Sequence, residues 1–502
     1  METFDSIQKD RGGHRSRNRS QFLSREGGLS TPNPRQGMRT RLLNSQRTGM
    51  ARCFIWAFLL GWALGCAPPP PAGPPNILLI VVDTLRADHV GLYGHERETT
   101  PNLDRLAADG SFFRRAYAQS SWTLPSMTSL LTGLLPHRHG VGRDPDVARR
   151  FGRLAPEIPT LAEQLLAVGY ATGAIVNNVF LAPEFGLQRG FGEDYDYRGA
   201  SKASIRSAEE SVDAALAWIQ PSRHPYFLLL HFMEPHLFYD PAPQVRGTFT
   251  GDGQPPIPVP FGSDRAIRVL KKSRPGPASE ELEYLKRLYD EEILAVDRAM
   301  GRLFEELEKR SDWENTVVIV TADHGEEFFD HGGFEHGHTL YGELTRVPLV
   351  VHGPGFDLGE IEGVVEHVDL SRGILGLAGV PSDKELDGDD IFSTIKRGEM
   401  LEPGTSVSEN TLYGPPRLSY LDGDYRMHLL PGRKRVEIWK LNADGLEVRR
   451  LVPPESNREI ERMKLALAAR RGDLSASAVA EGPELSEKEL SQLMALGYLN
   501  EE

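Results

Sequence analysis

The stretch Asn76-Ile77-Leu78-Leu79-Ile80-Val81-Val82 is apolar at every position after Asn76 and rich in β-branched side chains. A strand with one wet face alternates apolar and polar residues. An unbroken run must instead be buried on both faces, as in a parallel sheet between helical layers. Further short apolar runs occur at 170–176, 226–232, 316–321 and 347–352, with helical patterns between them. Thr100-Pro101-Asn102-Leu103 opens one helix with a capping residue and an early proline. The longest helix is expected over about 279–310, where Leu282, Leu285, Tyr289, Ile293, Val296, Met300, Leu303 and Leu307 keep a three/four spacing. A partner-binding coil is the alternative to a helix packed on the sheet, and packing is preferred. Gly-, Pro- and charge-rich residues 238–277 read as an inserted loop. The alternation predicts an α/β fold with a mainly parallel central sheet flanked by helices. From about Thr405 the pattern changes to short antiparallel strands near 418–421, 425–430 and 436–441, then a helical tail.

Both cysteines, Cys53 and Cys66, lie in an N-terminal apolar stretch. The body has no thiol, so disulfides, thiolate metal sites and cysteine nucleophiles are excluded there. Met50-Ala51-Arg52 precedes an apolar run over 53–65, within the usual signal length of about 7–15 residues and short of the roughly 20 needed to span a bilayer. Ala63-Leu64-Gly65-Cys66 resembles a bacterial lipobox, although Ala63 stands where leucine is preferred. The expectation is an exported lipoprotein of a bacterial cell envelope, anchored by a lipid on Cys66 and facing the periplasm or the outside. An ordinary signal or an uncleaved anchor is the alternative. Residues 1–49 carry no apolar period, which suggests a true start at Met50 or Met38, or else a long basic preface. The expected organisation is an N-terminal extension and signal over 1–66, a proline-rich tether over 67–75, a catalytic domain over 76–404 and a C-terminal subdomain with a helical tail over 405–502. The net charge of -14 argues against nucleic acid as a partner. An anionic substrate stays open, because a bound cation outweighs the global field locally.

The chemistry sits at strand ends. Asp83 follows the first strand directly, and Asp323-His324 closely follows the run at 316–321. Ligands of open parallel sheets gather at these carboxyl ends. Each acid alone could cap a helix. Three longer words change that. They are Val82-Asp83-Thr84-Leu85-Arg86-Ala87-Asp88; Thr123-Leu124-Pro125-Ser126-Met127 leading to Leu131-Thr132-Gly133; and Asp323-His324-Gly325-Glu326 followed by Leu340-Tyr341-Gly342-Glu343-Leu344-Thr345-Arg346-Val347-Pro348. In this order they resemble the sulfatase branch of the alkaline phosphatase superfamily, from about Asn76 to the end of the chain. The resemblance implies an alkaline-phosphatase-like sheet with a small C-terminal α+β subdomain, and an anionic ester as substrate.

The departures are specific. Thr123 stands where sulfatases carry the Cys or Ser that becomes formylglycine, so no formylglycine is expected. Met127 replaces an arginine, and Thr84 replaces a second acid. Asn177 falls where a lysine is usual, Val179 where a histidine is usual, and His338 where another lysine is usual. The implied metal set is Asp83, Thr123, Asp323 and His324. The imidazole shifts the preferred single divalent ion from calcium toward manganese or zinc. One acid, a threonine and an Asp-His pair also resemble the phospho-transferring relatives that use a threonine nucleophile. A formylglycine hydrate has a second hydroxyl that expels sulfate. Threonine has one, so its ester must be broken by attack at phosphorus or sulfur. The resulting expectation is a metal-dependent hydrolase or transferase of phosphate esters with Thr123 as nucleophile. His236, in a Pro-His word, and His338 assist catalysis, and Asn177 contacts the substrate. His139 and Arg138 are placed at the pocket mouth. Glu326 and Glu327 are assigned supporting roles. His137, His139, His331 and His336 raise the question of a second metal, which no ligand spacing supports. Two alternatives stay open: a sulfate-ester hydrolase working without formylglycine, and a non-catalytic, metal-stabilised binding protein.

Overall fold

The computed structural model describes residues 73–472 except 145–149, 200–203, 221–222, 258, 273–275, 382–385, 402–403, 432 and 434, together with 479, 480, 482 and 493. The apolar stretch 53–65, Cys66 and most of the tether lie outside the described residues. Among the described residues no helix is long and apolar enough to cross a membrane.

The run that opens the sequence argument is β1 (Asn76–Val82), buried along its whole length. It is central in a nine-stranded sheet. The other strands of that sheet are β2 (Ser111–Tyr117), β3 (Ala171–Val176), β4 (Tyr195–Tyr197), β5 (Tyr226–Phe232), β6 (Thr316–Ala322), β9 (Arg346–Val347), β10 (Leu349–His352) and β11 (Gly359–Glu366). Strands β7 (Glu327–Phe328) and β8 (Phe334–Glu335) form a separate ribbon. The order is β11-β2-β10-β6-β1-β5-β3-β4, with β9 beside β2. Strand β10 runs antiparallel to β6 and β2, and β9 antiparallel to β2; the remaining pairs are parallel. The fold is a mixed, mostly parallel sheet flanked by helices.

Register positions the chemistry. Val82 lies opposite Phe232 on one side and Ala322 on the other. The three central strands therefore end level, and Asp83, Met233 and Asp323 leave the sheet side by side. The Asp83 amide extends the ladder by donating to the Phe232 carbonyl at 3.0 Å.

The long helix spans Ser279–Glu308 and buries Leu285, Tyr289, Ile293, Val296, Met300, Leu303 and Leu307. It packs against the helices Pro101–Ala108 and Ala208–Trp218, as an apolar stripe at this spacing requires. Its acids are used too. Thr100 makes no capping bond to the helix Pro101–Ala108. Instead Asp297 accepts from the Asn102 and Leu103 amides and supplies the cap across space. Residues 238–277 are not a bare loop: they contain a helix, Asp264–Lys272. Glu291 accepts from the Phe249 and Thr250 amides, and Glu292 from the Asp240 amide, so the segment is strapped to the long helix.

Strands β12 (Thr405–Glu409), β13 (Leu418–Asp422), β14 (Tyr425–Leu429), β15 (Val436–Leu441) and β16 (Glu447–Arg450) make an antiparallel meander. The helix Glu455–Arg471 covers it with Met463 and Leu467. Leu135 and Val368 join this second core, which ties the meander to the large sheet.

Candidate active site

Thr123 is the first residue of the helix Thr123–Thr132, entered from an extended Trp122. The whole helix is buried, and Met127 lies in the apolar core, so the slot of an expected arginine is an apolar one here. Ser126 fixes the helix to the end of β6: its hydroxyl donates to the Asp323 carbonyl at 2.5 Å and lies 3.3 Å from His367 Nδ1.

The Thr123 hydroxyl faces the level ends of β1 and β6. Its Oγ1 lies 3.4 Å from His324 Nε2 and 3.3 Å from Asn178 Nδ2. His324 Nδ1 donates to the Gly325 carbonyl at 2.9 Å. A neutral ring with its proton there presents the Nε2 lone pair toward the hydroxyl. His324 Nε2 also lies 3.4 Å from Asp323 Oδ2 and 3.8 Å from Asp83 Oδ1. The predicted set Asp83, Thr123, Asp323 and His324 is thus brought together in space.

His231 joins it. This residue sits inside β5, fully buried, 3.5 Å from Asp83 Oδ2. Ligand atoms of Asp83, His231 and Asp323 lie within 4.8 Å of one another. Its sequence signal was a lone imidazole in an otherwise apolar strand, Tyr226-Phe227-Leu228-Leu229-Leu230-His231-Phe232.

The arrangement carries unpaired charge. Asp83 Oδ1, Asp323 Oδ2 and both His231 ring nitrogens are buried without a hydrogen-bond partner. Among the described residues neither carboxylate is paired with Lys or Arg; only imidazoles approach them. Burial and the Asp323 charge push the Asp83 carboxyl well above its ordinary range. Burial acts the same way on Asp323, but His324, His231 and the Thr84 amide outweigh it and hold that carboxyl low. Burial lowers His231 to about 4, which keeps it neutral and able to ligate. Two carboxylate oxygens and an imidazole with neither nitrogen satisfied, in a dry site, suit a divalent cation.

Asn178, not Asn177, reaches this cluster. Its Nδ2 lies 2.6 Å from Asp83 Oδ2 as well as beside Thr123. Asn177 faces away: its amide donates to the His231 carbonyl and Ser211, and its oxygen lies 3.3 Å from Arg206 Nη1. The assignment of Asn177 to the substrate is corrected on this ground. Successive residues leaving β3 point to opposite sides, so only one of the two adjacent amides faces the cluster. His139 is corrected too. It is buried behind the helix Thr123–Thr132, with Nε2 on the Ser129 hydroxyl and Nδ1 accepting from the Val141 amide. Arg138 pairs with Asp387.

His236 and His336 flank the cluster. The His336 ring is 4.5 Å from His324 and 5.0 Å from His236, centre to centre. Burial lowers both pKa values, and each is lowered further by an imidazole neighbour. Glu326, raised to about 7 by burial, lies 3.1 Å from His336 Nδ1. His338, expected to be catalytic, instead has Nε2 on the Glu327 carboxylate at 2.7 Å. It is His336 that touches His324. The four histidines weighed for a second metal scatter: His137 is held by Glu409, His139 by Ser129, His331 by Glu343 and His336 by Glu326.

Thr84 explains a missing acid. Its φ of 59° is left-handed, unfavourable for a β-branched residue. Its hydroxyl turns back to the Asp83 carbonyl, while its amide donates to Asp323 Oδ1. Only backbone is offered to the site.

The sulfatase family profile matches residues 75–380. This chain belongs to the sulfatase family. Human arylsulfatase A is 30% identical over 397 residues, covering 72% of this chain and 73% of that one. An Escherichia coli protein described as an uncharacterized sulfatase, YidJ, is 25% identical over 402 residues, covering 71% and 78%. Among solved structures, a protein in complex with its substrate D-glucosamine-2-N,6-O-disulfate superposes with a TM-score of 0.65 at 18% identity, covering 80% of this chain and 99% of that one. A phosphonate monoester hydrolase of Agrobacterium radiobacter gives 0.64 at 19%, covering 79% and 95%. The structural likeness confirms the shared sulfatase fold. Within that fold the cluster of Thr123, Asp83, His231, Asp323 and His324 occupies the carboxyl ends of the central strands.

Proposed function

We propose that this sulfatase-family protein is a metal-dependent ester hydrolase or phosphotransferase that cleaves an anionic phosphate ester with Thr123 as nucleophile. The observation that carries the reading is the position of Thr123 Oγ1, within 3.4 Å of both Asn178 and His324 at the edge of a buried, unpaired carboxylate pair.

Asp83, Asp323, His324 and His231 would hold one divalent cation, manganese or zinc rather than calcium by donor type. Such an ion lowers the pKa of a neighbouring hydroxyl and offsets charge on the ester. The protein's own groups do the rest. Asn178 holds the Asp83 carboxylate and the Thr123 hydroxyl in one geometry through a single Nδ2. The helix start at Thr123 adds the partial positive charge of its amides toward an incoming anion. The Thr123 hydroxyl lies against His324 Nε2, so the nucleophile sits beside the ion that this ring would hold. His236 and His336, kept neutral by burial, are placed to hydrogen-bond oxygens of the ester, with Glu326 orienting His336. A threonine ester, lacking a second hydroxyl, is then resolved by water or another acceptor.

Sulfate-ester cleavage by the same threonine is the second reading, favoured by kinship with arylsulfatase A. A metal-stabilised binding protein is the third, favoured by the apolar Met127 slot. The test is turnover of aryl phosphate mono- and diesters and an aryl sulfate with manganese, zinc or calcium, beside Thr123→Ala. Phosphate turnover lost in the variant supports the proposal. Sulfate turnover dependent on Thr123 selects the second reading, and no metal-dependent turnover with any ester rejects both enzymatic ones. We extend the proposal to an exported, lipid-anchored protein; labelling of Cys66 by a fatty-acid probe checks it.

A further inference from the structure

A second set of ligating side chains lies where the C-terminal meander meets the large domain. His331 stands in the turn between β7 and β8, and Glu343 in the short helix Gly342–Thr345. Glu447 comes from β16 and His428 from β14. Ligand atoms of His331, Glu343 and Glu447 lie within 4.8 Å of one another. His331 Nδ1 is 2.7 Å from Glu343 Oε1, and His428 Nε2 is 3.3 Å from Glu447 Oε1. Glu447 Oε2 accepts from the Gly342 amide at 3.0 Å, which turns this carboxylate toward the helix that carries Glu343. None of these residues belongs to the cluster around Asp83 and Asp323.

Two carboxylates share one dry interface there. The Glu343 side chain is 3% exposed and the Glu447 side chain 0%. One guanidinium approaches them: Arg426 Nη1 lies 3.3 Å from Glu447 Oε1, but its hydrogen bonds go to the Thr345 hydroxyl at 2.9 Å and the Leu340 carbonyl at 3.4 Å. Glu343 is paired with no Lys or Arg among the described residues, and its Oε2 accepts no hydrogen bond from any of them. Burial above all, together with the Glu447 charge, pushes the Glu343 carboxyl up to about 7 although His331 pulls it down. The neighbouring acids are taken, Glu437 by Arg435 and Arg450 and Glu327 by His338. A buried carboxylate oxygen without a donor, beside a second buried acid, is costly until a cation enters. The imidazoles are held in place for one. The His331 ring is stacked on Tyr341 at 3.7 Å with planes 6° apart, and Trp439 meets it edge-on at 5.4 Å. Burial lowers the His428 pKa, so that ring is neutral as well. Imidazole and carboxylate donors without a thiolate suit zinc, with water at the remaining position.

We propose that His331, Glu343 and Glu447 form a second divalent-cation site, best suited to zinc, that fastens β16 of the meander to the turn and helix carrying the other two ligands, with His428 orienting Glu447. The site is structural, and it stands apart from the ester chemistry and from the metal at the strand ends.

The experiment counts zinc ions per molecule of the full chain by elemental mass spectrometry, after loading with zinc chloride and removal of loosely held metal by gel filtration. The unsubstituted chain is expected to retain two. Asp83→Asn disables the strand-end cluster and retains one. Adding His331→Ala or Glu343→Gln to Asp83→Asn lowers that count by one, and the unfolding midpoint of either double variant no longer rises with zinc. Circular dichroism checks the fold, and the isosteric Glu343→Gln covers a failure of His331→Ala. An Asp83→Asn chain that holds no zinc overturns the inference, as does a zinc count that neither further substitution lowers. Failure of the strand-end metal looks different: the unsubstituted chain then retains one zinc, which is kept in Asp83→Asn and lost with His331→Ala.

Discussion

Thr123→Ala removes a hydroxyl that both Asn178 and His324 approach. Turnover is expected to fall by more than about a thousandfold, measured as kcat, because nucleophile loss removes the covalent route. Thr123→Ser keeps the hydroxyl and retains measurable activity; equal loss in both variants would count against a hydroxyl nucleophile. The neighbouring asparagines separate in the same way. Asn178→Ala should cost about 10²–10³ in kcat, the usual effect of losing a preorganised donor at a reacting oxygen. Asn177→Ala should instead lower stability by about 1–3 kcal/mol, because it strands buried partners, and leave a smaller mark on kcat. Thermal melts beside kinetics distinguish the two. The sequence shows two adjacent amides and gives no means to say which one faces inward. Strand exit geometry decides that.

Elements explain why the site is level and dry. The β1, β5 and β6 registers bring Asp83, Met233 and Asp323 to one height. The helix Thr123–Thr132 is pinned beneath them by Ser126, whose hydroxyl donates to the Asp323 carbonyl. Ser126→Ala should reduce kcat through misplacement of Thr123 while leaving the metal requirement intact, a split readable by metal titration of activity. The cap supplied by Asp297 to the helix Pro101–Ala108 is an element-scale prediction as well. Asp297→Ala should cost about 1–2 kcal/mol, seen as a lowered unfolding midpoint, with activity per folded molecule unchanged. The runs at 76–82, 226–232 and 316–321 were legible as strands because burial on both faces leaves a continuous apolar signal. The 264–272 helix was not, since its surroundings are rich in Gly, Pro and charge. Nor was the cap, since Asp297 lies far from Asn102 in the chain.

At the scale of the whole molecule, buried acids join the C-terminal meander to the large sheet. Glu409 receives His137 and Arg471, and these partners outweigh burial to hold its carboxyl at about 2, below the ordinary 4.5. A depressed pKa contributes stability that is fully present above about 4.5 and lost as pH falls toward 2. The contribution is on the order of 3 kcal/mol, from about 1.36 kcal/mol per unit. Glu409→Gln should therefore lower the unfolding midpoint at pH 7 and flatten its dependence between pH 4.5 and 2. Chelation should likewise lower the midpoint, with manganese or zinc restoring it fully in the unsubstituted chain and only in part in Asp83→Asn. The sequence by itself determined the sheet, the family and the acids at its strand ends, because local apolar period and short motifs are written in neighbouring residues. The tertiary structure alone decided that His231 joins the acids, that Asn178 replaces Asn177, and that His336 rather than His338 meets His324. Those choices depend on register, side-chain direction and contacts between distant segments, and no single stretch of chain encodes them.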